Sequence, residues 1–84
     1  MTVRIRTPAG IGHDFDFDGD DGVDETVQSA VRHFVAHNQL AAGRYGLAVI
    51  REGEAVEMPD TARLEDFRVV DGDVLCLINQ DPPS

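Results

Sequence analysis

Asp14, Asp16, Asp18 and Glu25 stand at positions one, three, five and twelve of one acidic stretch, with Gly19 at position six. That is the spacing by which oxygen ligands encircle calcium in an EF-hand loop. The neighbouring residues oppose the ion. An EF-hand needs a helix entering the loop, and Pro8, Gly10 and Gly12 break any helix there. Wrapping an ion would also strand Phe15 and Phe17 in solvent. As a β-strand, the same segment buries both rings and sets the three aspartates on one flat face, about 7 Å apart. Asp14, Asp16 and Asp18 are therefore expected to form a solvated acidic face. Such a face steers a basic partner or serves solubility. A weak loop-borne calcium or magnesium site is the alternative reading.

The histidines offer less. His33 and His37 lie four apart, so they share one helix face and could hold a metal, but no third ligand is evident from spacing. His13 falls on the inward side of its strand near a turn. Cys76 sits mid-strand with no catalytic partner indicated and reads as a small hydrophobe. No glycine-rich phosphate loop and no Ser–His–Asp grouping is present. The expectation is a non-enzyme with no catalytic residues, no cofactor and no structural metal.

The elements that position these residues must fit within 84 residues carrying a net charge of -9. That length allows one domain. The negative charge argues against a nucleic-acid ligand, because phosphate binding needs a basic surface. All seven basic residues are arginine, and lysine is absent. One cysteine makes no internal disulfide. The start has no signal-peptide pattern and no apolar run is long enough to span a membrane, so a soluble, cytoplasmic protein without membrane insertion is expected.

Periodicity supplies the element order. Val3 and Ile5 alternate with Arg4 and Arg6 in a first strand, which turns at Pro8-Ala9-Gly10 into a second strand through His13–Asp18. Val27, Ala30, Val31, Phe34 and Val35 recur at helical spacing, with Asp24 or Thr26 as the expected cap. Tyr45, Leu47 and Val49 alternate in a third strand that turns at Glu52-Gly53-Glu54 into a short one through Val56 and Met58. Leu64, Phe67 and Val69 anchor a loop, and Asp71-Gly72-Asp73 turns into a last strand with Leu75 and Leu77 inward.

This order, with the motif Leu64-Glu65-Asp66-Phe67-Arg68-Val69-Val70-Asp71-Gly72-Asp73-Val74-Leu75, resembles the ubiquitin-like proteins. Among these the chain is most similar to the small bacterial YukD-like proteins of type VII secretion, which share the Asp-Gly-Asp turn and lack a diglycine end. The resemblance implies an α+β, ubiquitin-like β-grasp domain over residues 1–78. Its mixed sheet would have four to five strands, with one helix across one face and a polar, flexible tail over 79–84.

The family grips protein partners through the open sheet face, and the corresponding positions here are Pro8, Ala48, Ile50, Cys76 and Ile78. Strand parity agrees, since Ile50 and Ile78 alternate with inward Val49 and Leu77. The tail Asn79-Gln80-Asp81-Pro82-Pro83-Ser84 has no glycine pair, so conjugation through it is not expected. The function implied is a non-covalent protein-interaction module or adaptor, with type VII secretion as its setting. Two alternatives stand beside it: a protein modifier or sulfur carrier of a bacterial conjugation pathway, and an accessory subunit of a multicomponent enzyme.

Overall fold

A computed structural model describes residues 1–80. Strand β1 (Thr2–Arg6) buries Val3 and Ile5 and exposes the residues between and beside them, as alternation requires. The chain reverses through Thr7–Gly10, where Gly10 donates to the Thr7 carbonyl at 2.9 Å and adopts φ +92°. Only glycine reaches that conformation without a Cβ clash. Strand β2 (Gly12–Asp16) pairs antiparallel with β1, setting His13 opposite Ile5 and Phe15 opposite Val3. It ends two residues before the expected Asp18. There the Asp18 amide donates to the Asp21 carboxylate at 2.9 Å and bends the chain out of the sheet.

Helix α1 (Val23–Ala36) starts at Val23 rather than at Val27. The expected caps are corrected too: Gly22 is the N-cap residue and no side chain caps the helix. The Asp24 carboxylate accepts instead from the Glu25 amide, and the Thr26 hydroxyl donates to the Gly22 carbonyl. Asp24 and Glu25 still lie in the first turn, where the helix dipole favours negative charge. Val23, Val27, Ala30 and Phe34 form the buried stripe, while Val31 and Val35 are half-buried at its flank.

Strand β3 (Tyr45–Arg51) and strand β4 (Glu54–Met58) form a hairpin over Glu52 and Gly53, whose φ values of 52° and 80° are those of a two-residue type I′ turn. A short 3-10 turn (Leu64–Phe67) then closes one end of the core. It is tied to the loop before α1 by Glu65 N to Gly19 O at 2.8 Å and Leu64 N to Asp21 O at 3.1 Å. Strand β5 (Val74–Asn79) runs parallel to β1 and antiparallel to β3.

The sheet order is β2-β1-β5-β3-β4, with α1 packed against one face. This is an α+β architecture with a mixed five-stranded sheet, as a β-grasp requires. The core is Val3, Ile5, Val23, Val27, Ala30, Phe34, Leu47, Val49, Met58, Leu64, Val69, Leu75 and Leu77, with Phe15, Phe17 and Phe67 packed on its margin. Each fully buried side chain of this size stabilises by about 1.5–3 kcal/mol relative to exposure. Met58 on β4 is buried, whereas Val56 two residues earlier on this edge strand is exposed.

Arg51 locks the end of β3 to the segment before β5. Its guanidinium donates to the carbonyls of Phe67 and Arg68 and to the Asp73 carboxylate, each at 3.1 Å. At the other end, β5 continues through Asn79 and the Gln80 amide donates to the Arg44 carbonyl at 2.8 Å. Of the tail expected over 79–84, residues 81–84 lie outside the described residues.

Candidate functional site

The sheet face opposite α1 carries the side chains that alternate with the core. Register places Arg6, Cys76, Ala48 and Glu57 in one transverse row, on β1, β5, β3 and β4. On one side of that row, Ile50 lies opposite Ala55. On the other, Ile78 lies opposite Gly46, over which the Gln80 side chain folds. Successive rows on one face are about 7 Å apart, so Ile50, Cys76 and Ile78 form a stripe on the order of 14 Å long.

The five expected residues have different places in this stripe. Ile50, Cys76 and Ile78 are half-buried and present part of their surface outward. Ala48 is fully buried: its methyl group lies between Cys76 and Glu57 and serves as floor. Pro8 is exposed in the β1–β2 turn. Val74, which the sequence reading left out, shares the parity of Cys76 and Ile78 on β5 and is half-buried like them. That parity alone could have found it. The flanks are charged, with Arg4 and Arg6 on β1 and Glu57 on β4.

Of the expected acidic face, two members are on the strand. Asp14 and Asp16 project from β2 beside Arg4 and Thr2, both exposed. Arg4 Nε donates to Asp14 Oδ1 at 3.0 Å, and this bond holds the Asp14 carboxyl below the usual carboxylate range and raises Arg4. The N-terminal ammonium lies 3.3 Å from Asp16 and donates to the Phe17 carbonyl at 2.7 Å. Asp18 has left the face for the following loop, where its carboxylate gathers with those of Asp20 and Asp21. The calcium-loop spacing of Asp14, Asp16, Asp18 and Glu25 therefore does not become a ring of ligands, because the first two are committed to strand pairing.

All three histidines meet at the seam between β2 and α1. The His33 ring stacks on His13 at 4.0 Å between centroids and lies tilted against His37 at 4.3 Å. Phe15 meets His13 and His33 edge-on, at 4.9 and 5.2 Å. Among the described residues, Asp18, Asp20 and Asp21 are the one group of three whose ligand atoms all lie within 4.8 Å of one another. The imidazoles thus form a row rather than a ring around a shared point.

An open groove runs along the other flank of α1, floored by Val27, Val31, Val35 and Tyr45 with Asp24 and Arg32 at its rim. It explains why Val31 and Val35, read as core from their spacing, are only half-buried. No protein-family model matches this sequence, and no curated protein matches it.

Proposed function

We propose that this chain is a non-covalent, ubiquitin-like interaction module that docks protein partners through its open sheet face. The observation that carries the reading is the stripe of Ile50, Val74, Cys76 and Ile78, contiguous, partly solvent-facing and left uncovered by α1. Apolar residues grouped with charged flanks are what a protein interface presents. The flanks favour a partner whose own charges alternate, acid toward Arg6 and base toward Glu57. The Asp71-Gly72-Asp73 turn supports a YukD-like role in type VII secretion as the setting, with a cytoplasmic location. The absence of lysine supports binding over chain building, because isopeptide chains grow on lysine amines.

The test is capture with native and Ile50→Glu protein from the cells that produce the chain, with captured proteins identified by mass spectrometry. Circular dichroism must first show the variant folded. Partners held by the native protein and lost by the variant support the reading; an identical captured set overturns it.

A further inference from the structure

The three imidazoles come from two consecutive elements, His13 from β2 and His33 and His37 from the end of α1, and with the edge-on Phe15–Phe34 contact they form the joint of β2 against α1. We propose that this stacked row is a proton-sensitive latch: when the row takes up a second proton, β2 comes away from the C-terminal half of α1.

Four observations carry it. First, the spacing is tight. Centroids at 4.0 and 4.3 Å put His33 in contact with both neighbours, so two charges in the row lie within a few ångströms and repel. Second, the surroundings supply little compensation. His33 is half-buried, with Phe15 and Phe34 edge-on to it at 5.2 and 5.4 Å. Loss of hydration at the joint, and after it the neighbouring His13 and His37, hold His33 below the ordinary histidine range. From β2 the one carboxylate coupled to the row is Asp14, beside His13, and it is already bonded to Arg4. From β1, Val3 and Ile5 bring no charge. On α1, Arg32 stands beside His33 in sequence but lines the groove on the other flank, and its charge would add to the repulsion.

Third, β2 lies at the edge of the sheet, and besides its ladder with β1 and the histidine row its hold on the helix is Phe15, edge-on to Phe34 at 5.8 Å. Strand β2 is the outermost strand of the sheet and pairs with β1 alone. Edge strands and helix ends open at lower cost than the centre of a domain. Fourth, the row is linked to the end of the helix. His37 Nδ1 lies 2.8 Å from the His33 carbonyl, to which it donates, so movement of the His37 ring loosens the last turn.

The sign follows. A histidine lowered in the folded state is bound by fewer protons there than in the unfolded chain. Its stabilising contribution is complete above the unfolded value near 6.5 and is lost as pH falls from there through the folded value. Opening would uncover Phe15 and the flank of Phe34, giving the domain an apolar surface at acid pH that it hides at neutral pH.

The experiment is a pH titration of the whole chain followed by NMR at the histidine ring protons and at β2 amides. Melting temperatures of native protein, His33→Gln and His13→Gln are measured at about pH 7.5 and pH 5. The expected results are a His33 midpoint below 6.5, and β2 amides that exchange faster as pH falls while β3 and β5 stay protected. The native protein should also lose at least twice as much melting temperature as His33→Gln. A His33 midpoint at or above 6.5, or β2 protection unchanged across the range, overturns the proposal. The NMR arm uses native protein, so it decides the matter even if a variant fails to fold.

Discussion

Strands β3 and β5 have two faces that differ by a shift of one residue. On one side Leu47, Val49, Leu75 and Leu77 are at most 2% exposed beneath α1. On the other, Ile50, Cys76 and Ile78 remain half-exposed, and only the small Ala48 and Gly46 are buried between their neighbours. The same two strands thus hold the fold with one set of side chains and offer a surface with the alternate set. Stability and the proposed recognition are separable here by parity, so substitutions on the two faces should have different consequences.

The largest effect should come from the covered face. Leu75→Ala should lower the unfolding free energy by about 2–5 kcal/mol in urea denaturation, because a buried leucine leaves a cavity. Next comes the clip that joins the ends of the two strands. Arg51→Ala removes donors from the Phe67 and Arg68 carbonyls and from Asp73, and should cost about 1–2 kcal/mol by the same measurement. On the open face, the half-buried Ile50→Ala should cost about 1 kcal/mol, well short of Leu75→Ala, while reducing partner capture. If Ile50→Ala proved as costly as Leu75→Ala, the contrast between the faces would fail. A smaller gain is expected at the β3–β4 turn. Glu52 holds φ 52°, so Glu52→Asn should stabilise by roughly 0.5–1 kcal/mol and raise the denaturation midpoint.

The smallest effect is electrostatic. In Arg4→Ala the Asp14 carboxyl should titrate nearer its ordinary value by NMR, since the bond that lowers it is gone. Because Asp14 is lowered in the folded state, its contribution is present above the unfolded value and disappears as pH falls through the folded one. Both side chains are more than half exposed, so the melting temperature should hardly move.

What was legible in the sequence was whatever a short-range pattern encodes. Alternation placed β1, β3 and β5 and chose the inward residues Leu47, Val49, Leu75 and Leu77. The Glu52-Gly53 turn was equally plain, because few residues accept positive φ in sequence. The start of α1 was not legible, because Gly22 caps it without a side chain and Asp24 and Glu25 separate Val23 from the rest of the apolar stripe. The calcium-loop spacing could be discounted from the burial that Phe15 and Phe17 need, but the departure of Asp18 from the strand into the loop carried no such signal. Spacing put His33 and His37 on one helix face, but nothing in it brought His13 to them. His13 meets His33 only because β2 folds back over α1, and that contact belongs to the tertiary structure.

The two outer strands of the sheet have one further consequence. Strand β2 carries Asp14 and Asp16, strand β4 carries Glu54 and Glu57, and all four are exposed. A sheet with free edges invites lateral extension by its own copies, and like charge on both edges opposes each pairing in which one copy could lengthen another. Self-association into ribbons is thus discouraged at either end of the sheet. Protonating these carboxylates would lift that protection, making acid conditions the ones under which the domain is most prone to aggregate.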